Sequence, residues 1–199
     1  MNIFALDNDP SKAAEYHCDK HVLKMLLESA QLLSTMVHAL APGQVIPGTD
    51  DNGEPILTWY GNKVYKPTHM NHPCSVWVRH SMRNAMWLAD LGHALNHQSE
   101  IRWHKPAYKA HAVLNGIASC ISKLPFENSK VEPFTLALPK EIRELNLDNV
   151  TSYRLYYASA KRSFATWTRL GKQPYWWNDM CHHANNLGLS TINLANDGV

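Results

Sequence analysis

Between Ser11 and Ala39 the chain reads as one long helix that is apolar nearly all the way round. Asp9 is placed to cap its start and Pro10 to occupy its first position. At the helical angle, His17, His21, Lys24, Glu28 and Gln31 fall within about 80° of one another. Val22, Leu23, Met25, Leu26, Leu27, Leu32, Leu33 and Met36 fill the rest of the circumference. An ordinary surface helix has a broad polar face and a narrower apolar stripe. Here the proportions are inverted, so the helix belongs at the centre of a fold. Its polar stripe must then find buried partners or line a cleft, because buried ionisable groups without partners are too costly to keep. The first alternative is a Lys24–Glu28 pair one turn apart with satisfied histidines. Five functional side chains on one line favour the second.

The rest of the chain also reads as helical, which makes the expected fold class all-α: a single-domain helical bundle over residues 1–199. Residues 41–72 hold four Pro and four Gly among turn-forming Asn and Asp, and read as a long irregular loop. Helical periodicity resumes from Pro73 to about Arg102, again from Pro106 to Lys123, briefly over 139–146, and from Val150 to Leu170. An aromatic-rich tail over 171–199 follows. At 45% hydrophobic and 18% charged, the composition is that of a globular chain. No apolar run reaches the roughly 18 residues of a membrane span. The first ten residues carry acids where a secretory leader needs bases. Cys18, Cys74, Cys120 and Cys181 lie far apart, as expected of reduced thiols in a cytoplasmic protein.

A second cluster lies in Tyr65–Ser81, where Asn71 and His72 precede Pro73 at a helix start. Free backbone N–H groups there suit an anion or phosphate. His69 is close by, and Trp77, His80, Asn84 and Trp87 share one face of the following helix, with Arg79 and Arg83 on the opposite one. Plain core packing of the tryptophans and a satisfied buried hydrogen bond at Asn84 are the simpler readings of that face. His17/His21 and His93/His97 have the spacing of paired metal ligands, but a site needs a third, usually acidic or thiolate, ligand. No His-Glu-x-x-His sequence or His-Asp pair occurs and His93 and His97 fall on the expected solvent face, so no metal and no cofactor is expected. Gly-rich phosphate loops, nucleophile elbows and dinucleotide fingerprints are absent from the sequence. Charge is unevenly spread: residues 1–60 hold three Lys/Arg against eight Asp/Glu, and residues 61–111 hold seven against two. Five more bases fall between Arg154 and Lys172. A local basic face is compatible with a small net charge, since only the contacting surface neutralises phosphates.

Asp19-Lys20-His21, with Glu28 seven positions after the histidine, resembles the first helix of the phage-type pyrimidine-dimer DNA glycosylases, the endonuclease V-like family. Asn71-His72-Pro73 with Trp77, and Pro174-Tyr175-Trp176, are similar to that broader family's pattern. The likeness covers some 60 of the 199 residues. It implies an all-helical fold that excises a damaged or modified base from DNA, in the host cytoplasm where the protein is phage-encoded. It further implies that the chain's own α-amino group is the nucleophile and that the first-helix Glu supports it.

That chemistry suits an amine that is partly neutral at cellular pH, as α-amino groups are, with reference values of about 7.7–8.0. Asn2 is bulky, so Met1 is expected to stay in place and supply the amine, with Lys20 and Lys24 as the other candidates. The expected catalytic set is Glu28, Met1, His21 and Lys24. Substrate contacts are expected from His17, Lys20, Gln31, His69, Asn71, His72, Trp77, Arg79, His80 and Asn84. DNA phosphates would meet Arg83, Arg154, Lys161 and Arg162. Two further readings stay open: an enzyme or binding protein for free nucleotides that uses the same stripe, and a helical interaction protein whose histidines are structural. DNA or a nucleotide is the expected partner and a membrane is not.

Overall fold

The computed structural model describes residues 1–170 and 172–189. Residue 171 and the last ten residues of the expected tail lie outside the described residues. Eight α-helices run through the described residues: α1 (Pro10–Tyr16), α2 (Asp19–Leu40), α3 (Pro73–His80), α4 (Met82–Trp103), α5 (Lys109–Ala118), α6 (Lys140–Arg143), α7 (Asn149–Ala160) and α8 (Trp177–Asn186). The protein is mostly helical, and none of these helices is long and apolar enough to cross a membrane.

Helix α2 lies at the centre, packed by α3, α4 and α5, while α1 lies on α4 and α8 on α7. Val22, Met25, Leu26, Leu32, Leu33 and Met36 of α2 are all at most 1% exposed, as an apolar circumference requires. Pro42 ends the helix just beyond its cap, Ala41. Gly92 lets α4 and α5 approach closely, since a Cβ there would lie 2.0 Å from Leu114. The first six residues do not trail over the surface. Ile3, Phe4, Ala5 and Leu6 are buried, and Phe4 adopts the left-handed region with φ 36°.

Four expectations about the elements are corrected. The fold is not strictly all-α, because residues 41–72 hold a three-stranded antiparallel sheet, β1 (Ile46–Thr49), β2 (Pro55–Trp59) and β3 (Asn62–Val64), in the order β1-β2-β3. Strands β2 and β3 pair Trp59 with Asn62 across a two-residue turn whose Tyr60 and Gly61 both have positive φ, the twist a tight hairpin needs. The first helix is two helices, α1 and α2, with His17 and Cys18 extended between them. The helix expected from Pro73 is likewise broken at Ser81, whose extended backbone (φ −141°, ψ 140°) bridges to Asn128 and whose hydroxyl caps α4. The helix expected from Val150 to Leu170 stops at Ala160.

Candidate functional site

The break at His17 divides the polar stripe into two parts with different fates. Arg102 of α4 reaches into it with a side chain that is 0% exposed. Its Nη1 donates to the His17 carbonyl at 2.8 Å and its Nη2 to the Glu15 carbonyl at 2.9 Å. The same guanidinium meets Asp19 Oδ1 at 3.1 Å. Carbonyls left over at the end of α1 therefore find a charged donor, and α2 starts afresh at Asp19, whose N–H donates to the Thr166 carbonyl.

His17 and His21 are turned inward. His17 is completely buried and its Nδ1 donates to the Ala13 carbonyl at 2.7 Å. The phenol of Tyr157 lies 2.7 Å from His21 Nδ1 and accepts the Cys18 N–H at 3.1 Å. Phe4 stacks on the His21 ring at 5.2 Å and Phe164 meets its edge at 5.3 Å. Burial, reinforced at His21 by the neighbouring His17 and lysines, pushes His21 down to about 3, while burial pushes His17 down to about 4. Both rings are neutral in the fold, and the Tyr157 hydroxyl, bonded to His21 Nδ1, also lies within donating distance of Cys18 Sγ at 3.3 Å. Neither ring reaches Glu28. These residues hold the core of the molecule, a role the i, i+4 pattern did not distinguish from a site.

This arrangement sets a pH dependence. Unfolded, both rings take a proton near 6.5, so the unfolded chain binds more protons below that value. Their contribution to stability is complete above pH 6.5 and is lost as pH falls toward the folded values. The melting temperature is expected to be flat from pH 8 to 7 and to fall between 6.5 and 5, before most carboxylates titrate. Imidazole resonances of folded His17 or His21 that shift between pH 7 and 5.5 would contradict this.

The second half of the stripe does open outward, and the beginning of the chain lies across it. The Asn2 backbone N–H donates to Glu28 Oε2 at 3.1 Å. Asn2 also donates from its side chain to the Ala137 carbonyl at 2.9 Å and accepts the Phe4 N–H at 3.1 Å. Three hydrogen bonds from one residue thus fix where the chain begins. Glu28 Oε1 lies 3.7 Å from Lys24 Nζ; the carboxylate side chain is 15% exposed and the lysine 60%. Gln31 is half-buried one turn further along, and Leu27 beside the pair is exposed. His72 caps α3 by accepting the Cys74 N–H at Nδ1. Burial, then the positive chain terminus, then His69 press its imidazole down to about 4. Burial pushes the Cys74 thiol up to about 12, opposed by the same terminus and raised further by Glu28. The terminal amine is therefore an electrostatic neighbour of His72 and Cys74, and Glu28 of Cys74.

The other expected contacts disperse. Lys20 lies over the Phe164 ring at 4.7 Å. His69 is exposed with φ 50° and bonded to Thr68, Asn71 is exposed, and Arg79 donates to the Met70 carbonyl. Asn84 is buried with both ends of its amide used, toward the Trp77 carbonyl and from the Glu132 N–H. His80 is exposed, 4.0 Å from Glu132. With Trp77, Arg83 and Trp87, Asn84 belongs to a cavity lined by none of Met1, Glu28 or His72. Arg154 is held by Asp7 at 3.0 Å and by the Leu6 carbonyl at 2.8 Å, among the rings of Tyr16, Tyr175 and Trp176. Lys161 points at Tyr156 and Phe4, and Arg162 at Asn185.

Sequence reasoning missed Asn2, Arg102 and Tyr157. Only Asn2 carried a signal, as a polar residue ahead of an apolar run that begins at Ile3. Among the described residues, no group of three or more His, Cys, Asp or Glu is arranged to hold a metal ion. No family model, curated protein or solved structure matches the chain.

Proposed function

We propose that the protein is a DNA glycosylase with an associated lyase step, acting through the Met1 amine with Glu28 as its carboxylate partner. The observation that carries this reading is the Asn2 N–H held 3.1 Å from Glu28 Oε2, which ties the residue next to the α-amino group to a half-buried carboxylate. The sequence likeness of Asp19-Lys20-His21 and Glu28 to the endonuclease V-like enzymes supports the same pairing.

In the reaction, the neutral amine attacks C1′ of the damaged nucleotide and the glycosidic C–N bond breaks. The departing base takes the electron pair and is protonated. Loss of the amine's proton and opening of the sugar leave an iminium between the chain and C1′. Glu28 stabilises the cationic sugar as it forms and then accepts the C2′ proton that starts strand cleavage. His72, held neutral, adds no positive charge against the iminium. Lys24, exposed and 3.7 Å from Glu28, is the base nearest that carboxylate on α2 and would meet the phosphate backbone.

This reading takes Met1 as the amino terminus, and adduct mapping tests it. Borohydride reduction during reaction with a duplex carrying an abasic site is expected to fix the DNA covalently to the peptide that begins at Met1. An adduct on a peptide containing Lys20 or Lys24 would move the nucleophile to that lysine. No adduct with abasic or damaged duplexes would overturn the lyase.

A further inference from the structure

A cavity of about 670 Å³ lies between α4, the start of α7 and the chain around Pro133, well within the size range of small-ligand sites. Its wall is built from Trp77, Trp87 and Phe134, with ring centroids 6.1, 4.6 and 5.5 Å apart and tilted or edge-on packing. Both indole N–H groups are already spent: Trp77 donates to the Pro133 carbonyl at 2.9 Å and Trp87 to the Asn8 carbonyl at 2.7 Å. The Asn84 amide is spent at both ends. What the wall offers a ligand is therefore aromatic surface without a free donor.

The charged residues at the cavity point the same way. Asp90, Glu132 and Asp148 line it, from α4, the connector and the cap of α7, against a single base, Arg83. Among the described residues no ion pair joins Arg83 to any of the three acids. Met86, 41% exposed, and Val131, 81% exposed, add apolar surface at the opening. Aromatic faces and carboxylates both attract cations, and the aromatic faces do so most strongly for cations that are partly desolvated. An alkyl chain would lie against the rings and the apolar rim.

We propose that this cavity binds an aliphatic diamine or polyamine in its ammonium form, its methylenes on Trp77, Trp87 and Phe134 and its ammonium groups toward Asp90, Glu132 and Asp148. Three carboxylates on three separate elements suit a ligand with more than one charge. The site shares no residue with the Met1–Glu28 pair, so it stands or falls apart from the glycosylase reading.

Titration calorimetry on the full chain, without DNA, tests it with 1,4-diaminobutane, 1-butylamine, 1-butanol and adenosine. The diamine is expected to bind saturably at one site, the monoamine more weakly, and the alcohol not at all. Asp90→Asn, at an exposed position with no hydrogen bond to lose among the described residues, is expected to weaken the diamine by about two- to fivefold. Asp90→Lys, which sets a like charge against the ligand, is expected to weaken it further. Absence of saturable diamine binding overturns the proposal. Equal binding of the alcohol, or adenosine binding in place of the amines, overturns the cationic preference. Diamine binding that both Asp90 variants leave unchanged overturns its assignment to this cavity.

Discussion

Glu28→Gln is expected to reduce base excision and borohydride-trapped adduct by about 10²- to 10⁴-fold, the usual range for a lost acid–base group. The fold should survive the change. Glutamine keeps the size of the side chain and an oxygen to accept the Asn2 N–H, which anchors the chain start at 3.1 Å in the parent. Only the charge is lost, and with it the ion pair to Lys24. That pair has a 60% exposed lysine, and pairs of this kind contribute about 0–1 kcal/mol. The melting temperature should therefore move by only a few degrees while activity collapses. Lys24→Met is the companion measurement, since it breaks the same ion pair and keeps the carboxylate. It should retain the adduct; loss of adduct in Lys24→Met with retention in Glu28→Gln would exchange the two roles. Activity in Glu28→Gln equal to the parent, on folded protein, would remove Glu28 from the mechanism.

The two halves of the stripe differ in how far the sequence could be read. Burial of the α2 circumference was legible because apolar residues at nearly every angle leave a helix nowhere to go but the core. The same periodicity hid the breaks. His17 continues the pattern of His21 and Lys24 at the correct angle, yet the chain leaves the helix there because Arg102, 85 positions away, supplies donors to its carbonyls. Ser81 escaped notice in the same way: its extended backbone bridges to Asn128 and its hydroxyl donates to the Lys130 carbonyl, far along the chain. Tertiary partners of this kind leave no trace in a local pattern. The small sheet was partly visible, since Tyr60-Gly61 is a turn of the hairpin kind. Its strands were obscured by Pro47 and Pro55 and by burial that does not alternate, β1 being mostly exposed and β2 mostly half-buried. At the candidate site, Glu28 could be picked out from its place on a polar line. That Asn2 reaches it could not, because a chain end has no periodicity of its own.

Arg102→Met is expected to destabilise the protein by roughly 3–5 kcal/mol, the range for removing one partner of a buried ion pair. Methionine fills much of the volume but returns no donor. The carbonyls of Glu15 and His17 and the amide of Gln98 then lose the guanidinium that reaches all three, at 2.8–3.2 Å. Asp19 is better protected, because Thr168 Oγ1 at 3.0 Å and the Arg169 N–H at 3.2 Å also donate to its other oxygen. Asp19→Asn should therefore cost less than Arg102→Met, and the double variant should cost less than the sum of the two. Arg102→Lys restores the charge without the planar fork, so it cannot bond both carbonyls and Asp19 together and should fall between the parent and Arg102→Met. Chemical denaturation of the four proteins measures the order. A cost below about 1 kcal/mol for Arg102→Met would mean that α1 and α2 join into one helix once the guanidinium is gone, each carbonyl finding a backbone donor instead. In that case His17 would come into line with Lys24 and Glu28 on a continuous polar face, and the separation of the inward histidines from the outward carboxylate would rest on Arg102 alone.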